Sequence, residues 1–376
     1  IRAGMDWTMG HSGDSDRLEY GLALTLFLLR RGLYTECEAR LIQAEPVAQR
    51  LGDKAALANF LNRRGLVGWN RSDYAAAEPH FEAARLLCRE IDDQSLFLKV
   101  LANLGNVSWG RSDFVKARRI WEEALELAVT SGHARQEGTY RTNLAILACY
   151  RGEYETSEQY YQDGLALYQR VEFVEGIAFA RYNFSELLLY RQEHDRALEQ
   201  AEESLRLFSL LSDRQGIALT TIRIGLLRLE TGRYAEAGIA FAAGLAQAEE
   251  IGIRRCEMYA WEGLARLSDI EGDLKTAQER FRRSLSIAGE VGDRRHCAVT
   301  LVRLAKTLLQ RERASEAYRL LLFAHAEYTT LHLAEIDQVE SLKEALRARL
   351  GPTVEQALRK APAQSLEALL EKTCYN

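Results

Sequence analysis

Apolar residues recur at i, i+3 and i+4 along most of the chain, in blocks separated by short polar turns, as amphipathic helices require. The stretch Leu104-Gly105-Asn106-Val107-Ser108-Trp109-Gly110 gives way at Arg111-Ser112-Asp113 to Phe114-Val115-Lys116-Ala117-Arg118-Arg119-Ile120-Trp121. Forty residues on in either direction the pattern returns. Small residues form the ladder Cys37, Ala77, Ala117, Ser157, Ala197, Ala237, Ala277, Ala317. A second ladder, mostly aromatic, runs Tyr34, Tyr74, Phe114, Tyr154, His194, Tyr234, Leu274, Ala314. A fixed period of this size predicts stacked antiparallel helix pairs, each helix of about 14–18 residues. No strand-like alternation occurs, and two of the four prolines, Pro352 and Pro362, lie beyond the ladder. The expected class is all-α.

Within each pair, the first helix carries a buried stripe through 101, 104, 105 and 108, and the second offers Ile120, Trp121 and Leu125 to it. Gly or Ala at 65, 105, 145, 225, 265 and 305 lets the two helices approach closely. Irregularities are few. Pro79 should kink its helix. In the fifth repeat Gln192-Glu193-His194 replaces a Gly-x-Tyr turn and Ala201 replaces an aromatic, which predicts weaker packing there.

Gly105, Phe114, Ala117, Trp121 and Ala124 stand where tetratricopeptide repeats place Gly, Tyr, Ala, an aromatic and Ala, and Gly225, Gly232, Tyr234, Ala237, Phe241 and Gly244 follow the same scheme. The chain resembles that family, with hairpins six residues longer than the common 34. The usual Pro near the hairpin end is replaced by turns such as Leu51-Gly52-Asp53 and Val291-Gly292-Asp293. The resemblance implies a right-handed superhelical solenoid of about eight repeats over 18–337, with an N-terminal linker over 1–17 and a three-helix C-terminal cap over 338–376. In such solenoids the stripe at 99, 103, 106 and 110 of the first helix lines a concave groove. Its columns supply Arg63, Lys99, Asn103, Asn106, Asn143, Asn183 and Arg223, flanked by Trp109, Tyr150 and Tyr190. An Asn side chain donates and accepts at once and so can grip a peptide bond, as Asn at this position does in family members that bind extended peptides. Arg adds a fork for acidic groups. These side chains are expected to project from the stack, so that Asn→Ala changes would cost binding rather than stability. Taken alone, the aromatics read as helix-packing core.

A narrower resemblance lies at the two ends. Arg2-Ala3-Gly4-Met5-Asp6-Trp7, a Gly-Asp linker, an apolar helix and Leu29-Arg30-Arg31-Gly32-Leu33-Tyr34 resemble the start of the sensor region of STAND-class signalling ATPases. Leu346-Arg347-Ala348-Arg349-Leu350-Gly351 and Gln364-Ser365-Leu366-Glu367-Ala368-Leu369-Leu370 resemble the closing tail of such regulators. The apolar first helix (Leu22, Leu24, Leu26 to Leu29) implies a covering element, either residues 1–10 or a preceding domain. Two functions stay open. One is a sensor region that binds a peptide, protein or small inducer and controls an ATPase; the other is a free-standing scaffold joining two proteins.

Composition narrows these readings. Net charge is −5 with pI near 5.9, and acids and bases interleave, which argues against direct nucleic-acid binding. Neither a membrane span nor a signal peptide is visible, and the six Cys have neither CxxC nor metal-ligand spacing, so the cytoplasm is the expected compartment. Cys37, standing for the ladder Ala, reads as a small buried hydrophobe. The sequence contains no Walker A, GxGxxG, HExxH or GxSxG motif. Glu193-His194-Asp195 reads as a solvated turn. Neither a cofactor, a metal nor an enzymatic activity is expected.

Overall fold

The computed structural model describes residues 13–351. The expected helix at residues 1–10 and the two further cap helices beyond Pro352, opened by Thr353 and Gln364, lie outside the described residues. The described chain folds into seventeen helices and no strand. The first two pairs are α1 (Asp14–Arg30) with α2 (Tyr34–Leu51) and α3 (Lys54–Asn70) with α4 (Tyr74–Glu90). Next come α5 (Gln94–Gly110) with α6 (Phe114–Thr130), and α7 (Ala134–Tyr150) with α8 (Tyr154–Arg170). Then follow α9 (Val174–Tyr190) with α10 (His194–Leu210), and α11 (Arg214–Glu230) with α12 (Tyr234–Ile251). The last pairs are α13 (Arg254–Ile270) with α14 (Leu274–Val291) and α15 (Arg294–Gln310) with α16 (Ala314–Leu331), before the closing helix α17 (Ile336–Leu350).

The turns repeat every twenty residues rather than every forty. Position 32 and each twentieth residue to 332 has positive φ, whether it is Gly (Gly52, Gly132, Gly292) or not (Ser72, Ser112, Gln192, His332). That left-handed residue ends each helix by turning the next N–H groups back onto its last carbonyls, as Ser112 N–H does to Trp109 O and Asp113 N–H to Ser108 O. Where the following residue is Asp (Asp53, Asp73, Asp93, Asp113, Asp213, Asp273, Asp293), its carboxylate accepts from a first-turn N–H and caps the next helix.

Every member of the small-residue ladder, Cys37 to Ala317, is fully buried. Glycine is required at 105, because a Cβ there would stand 2.0 Å from the Trp121 ring nitrogen, and at 65, where it would stand 2.5 Å from Phe81. Pro79 lies inside α4 and Pro46 inside α2, and both helices continue through them on the solvent side. One sequence expectation changes. The fifth pair packs against itself like its neighbours, with Ala197 and Ala201 fully buried beside Leu187 and Leu188.

The stack curls far enough to meet itself. Leu18, Leu24, Leu28 and Leu41 of the first hairpin share one core with Ile222, Ile251, Ile253 and Cys256. Tyr34 OH donates to Gln215 across 181 residues, Arg255 bonds Tyr74 across 181, and Arg295 N–H reaches Ser112 Oγ across 183. The next superhelical turn therefore docks about four and a half repeats along. Part of the apolar face of α1 is covered by that turn. At the far end, α17 seats Val339 and Leu346 on the core of Leu304, Leu320 and Leu321.

Candidate ligand cavity

Because the first helix of every hairpin faces inward, α3, α5, α7, α9 and α11 meet α13 and α15 around a cavity of about 660 Å³. That size lies within the range of ligand pockets. One wall is an aromatic column from the last turns of successive helices. Trp69 and Trp109 lie 6.3 Å apart, Trp109 and Tyr150 stack at 6.3 Å, and Tyr190 stacks on Tyr154 at 6.2 Å.

Two arginines descend onto this column from the next superhelical turn. Arg255 lies 5.0 Å from the Trp69 ring centre and 4.7 Å from that of Trp109, and its Nη2 donates to Tyr74 OH. Arg295 stacks 3.6 Å over Tyr150 and donates to Tyr190 OH at 2.6 Å. Cation–π contacts of this kind hold a desolvated guanidinium, Arg255 with no carboxylate in ion-pair distance among the described residues and Arg295 with Glu186 at 3.9 Å. The other cavity arginines are paired: Arg223 with Glu186 at 2.9 Å, Arg266 with Glu230, and Arg303 with Glu262. Burial works against the Arg223 charge, but Glu186 and Tyr182 hold its pKa above the ordinary value. Burial is the largest cause that pushes the Tyr190 phenol up, and burial together with the Arg295 and Arg255 charges lowers His296 to about 4. Trp109 Nε1, His194 Nδ1 and Arg255 Nε line the cavity and are buried with no hydrogen-bond partner among the described residues.

Of the residues singled out from the sequence, Asn106, Trp109, Asn143, Tyr150, Asn183, Tyr190 and Arg223 line this cavity. Arg63, Lys99 and Asn103 do not. Arg63 donates to Leu22 O and Thr25 Oγ1, Asn103 donates to Asn62 at 2.8 Å, and Lys99 is exposed at the start of α5. The column does not project from the stack: Asn143 and Asn183 are 4% and 7% exposed. Each spends an amide N–H on the protein, Asn143 on Asn106 Oδ1 at 3.1 Å and Asn183 on Phe179 O at 2.8 Å. Sequence reasoning missed Arg255 and Arg295, although Gln215, Arg255 and Arg295 form a forty-residue ladder of their own. Their meaning depends on the 181-residue offset between turns, which no local pattern encodes.

A wider groove of about 750 Å³ lies outside, along Arg111, Lys116, Arg118 and Glu78. Three of its cations are already matched, Arg111 and Lys116 to Glu78 and Arg118 to Glu122, near solvent where such pairs contribute little. The interior cavity is the better candidate. His194, expected in a solvated turn, is half-buried and reaches that cavity, whereas Glu193 beside it pairs with Arg191 and Arg196.

The family model for the tetratricopeptide repeat matches residues 96–170 and 135–210. No curated protein matches the sequence. Among solved structures, a Rap protein complexed with competence and sporulation factor aligns at TM-score 0.57 and 17% identity, over 92% of this chain and 99% of that one. A signal transduction ATPase with numerous domains carrying a tetratricopeptide repeat sensor, from Pyrococcus horikoshii, aligns at 0.53 and 16% over 94% of this chain. This chain spans about half of that protein, 54% of its length. NprR in complex with its cognate peptide NprX aligns at 0.53 and 14%, over 70% of this chain and 76% of that one. At such identities the likeness is one of fold.

Proposed function

We propose that this chain, which folds as a tetratricopeptide-repeat solenoid, is a binding module that takes a short peptide segment or a small inducer into its interior cavity. On this reading it is the sensor part of a larger cytoplasmic regulator of the STAND class. The observation that carries the proposal is the cavity's position, bounded by the aromatic column of one superhelical turn and by α13 and α15 of the next. A ligand there touches both turns at once, and any ligand that binds the docked arrangement better than a loosened one shifts the balance between them. Such a shift is what a sensor hands on to a neighbouring domain. The cavity offers amides with unused acceptors, aromatic faces and paired charges, which is equipment for recognition rather than for bond-breaking. Fold likeness to a sensor-bearing ATPase and to two proteins solved with bound factors supports the same class.

The test is ligand capture from a cell extract or a peptide pool by the wild-type chain against Asn106→Ala/Asn143→Ala/Asn183→Ala. Each lost hydrogen bond should weaken binding by about 0.5–1.5 kcal/mol. Equal capture by both, with circular dichroism unchanged, would show that the cavity is not the binding site. A nucleotide-binding P-loop encoded upstream of Ile1 would support the regulator context.

A further inference from the structure

Among the described residues five arginines and four glutamates line the cavity, one of the four being Glu335, and Arg255 is the arginine with no carboxylate close to it. Arg223, Arg266 and Arg303 each face a glutamate, and Arg295 lies 3.9 Å from the carboxylate that Arg223 holds. Arg255 has no carboxylate within ion-pair distance among the described residues. The Asp293 charge reaches it only at longer range, because that carboxylate accepts from His296 N–H as the cap of α15. Of the five N–H donors a guanidinium carries, Arg255 spends one, on Tyr74 OH. Its Nε is buried without an acceptor, and so is the Nε1 of Trp109, whose ring lies under the same guanidinium.

Three aromatic rings lie against the guanidinium, and all but one of its donors stay unspent. A fixed fork of N–H donors in a dry site matches the two oxygens of a carboxylate, and low dielectric makes that pairing strong. The single excess charge also selects the ligand's charge. Five arginines against four glutamates leave one positive unit. A monoanion neutralises it, whereas a phosphate dianion would meet Glu186, Glu230 and Glu262 with no cation to spare.

We infer that Arg255 is the seat for a ligand carboxylate, so that the cavity takes a molecule with one free carboxylate, supplied either by a peptide C-terminus or by a small organic acid. This rests on the cavity being the binding site. The aromatic column provides faces for the rest of the ligand, and the unused acceptors of Asn143 and Asn183 meet its polar groups further along.

The experiment uses the wild-type chain and two matched pairs of probes. The first pair is a pool of tetrapeptides lacking Asp and Glu, as free acids and as C-terminal amides. The second is a pool of aliphatic and aromatic monocarboxylic acids and their primary amides. Binding is read by calorimetry and by tryptophan fluorescence, since Trp69 and Trp109 lie against Arg255. The acid form of one pair should bind at least about tenfold more tightly than its amide, and whichever pair shows this names the source. Arg255→Gln should bring acid and amide to equal affinity, while Arg255→Lys keeps part of the preference. Equal binding of acids and amides by the wild type, which needs no variant, overturns this inference and leaves the cavity reading standing. So does a preference that survives Arg255→Gln. No binding from any pool overturns both together.

Discussion

A single missing Cβ sets the distance between helices in the third hairpin. Gly105 faces Trp121, which is 1% exposed and has no room to swing away. Gly105→Ala should therefore destabilise the fold by about 1–3 kcal/mol or more, as overpacked cores do. Gly52→Ala, at a position with open space but positive φ, should cost only about 1 kcal/mol of backbone strain. Urea unfolding of the two variants would rank them, and the opposite order would show that the helices can separate cheaply. His296 gives a second residue-level test. Ser284 spends its one proton on Met258 O, so the imidazole Nε2–H donates to Ser284 Oγ and the ring is held neutral in the core. Burial depresses its pKa from 6.5 to about 4; Asp293 offsets part of this, while Arg295 and Arg255 add to it. The unfolded chain then binds the extra proton between those values. The contribution is fully present above about pH 6.5 and is lost as pH falls towards 4, amounting to about 3 kcal/mol. Denaturant midpoints of wild type and His296→Gln should differ in slope across that window, and parallel slopes would place the titration elsewhere.

At the scale of elements, each helix is punctuated by chemistry visible in the chain: a left-handed residue, then in many turns an Asp that caps the next helix. What the local pattern does not supply is an end. Helix α17 supplies one for the described chain by laying Val339 and Leu346 on Leu304, Leu320 and Leu321. Removing residues from 336 onward would expose those fully buried leucines. The shortened chain should melt earlier and self-associate in light scattering, as solenoids without a polar terminal face do. A monodisperse product with unchanged melting would mean that the eighth hairpin closes the stack unaided.

Over the whole molecule the decisive contact is between superhelical turns. Arg295 joins them, stacking on Tyr150 and bonding Tyr190, with Glu186 at 3.9 Å. Arg295→Glu would set a carboxylate beside Glu186 in a desolvated place, weakening the docking by about 2–5 kcal/mol. Helicity should persist, because each hairpin keeps its own core, while the radius of gyration rises in small-angle scattering. A compact molecule with lowered helicity would show instead that the hairpins depend on the turn-to-turn contact. If the cavity senses a ligand, the same variant should also lose ligand binding, since half the cavity wall moves away with α13 and α15.

The sequence alone determined the hairpins, their forty-residue register, the small residues at helix crossings and the inward-facing stripe that includes Asn106, Asn143, Asn183 and Arg223. All of these follow from interactions within one repeat or between adjacent ones, and periodicity exposes them directly. Tertiary structure alone decided that the stripe closes on itself. The rotation between neighbouring hairpins is small and set by the shapes of many side chains at each interface. Summed over about four and a half repeats, it fixes whether residue 255 meets residue 74 or misses it. That sum turned Trp69, Trp109, Tyr150 and Tyr190 from apparent packing residues into a seat for two arginines. It also drew Asn143 and Asn183 into the interior and left Arg63, Lys99 and Asn103 outside the cavity. A pattern can state which face of a helix is wet or dry; which distant helix arrives at that face is a property of accumulated geometry.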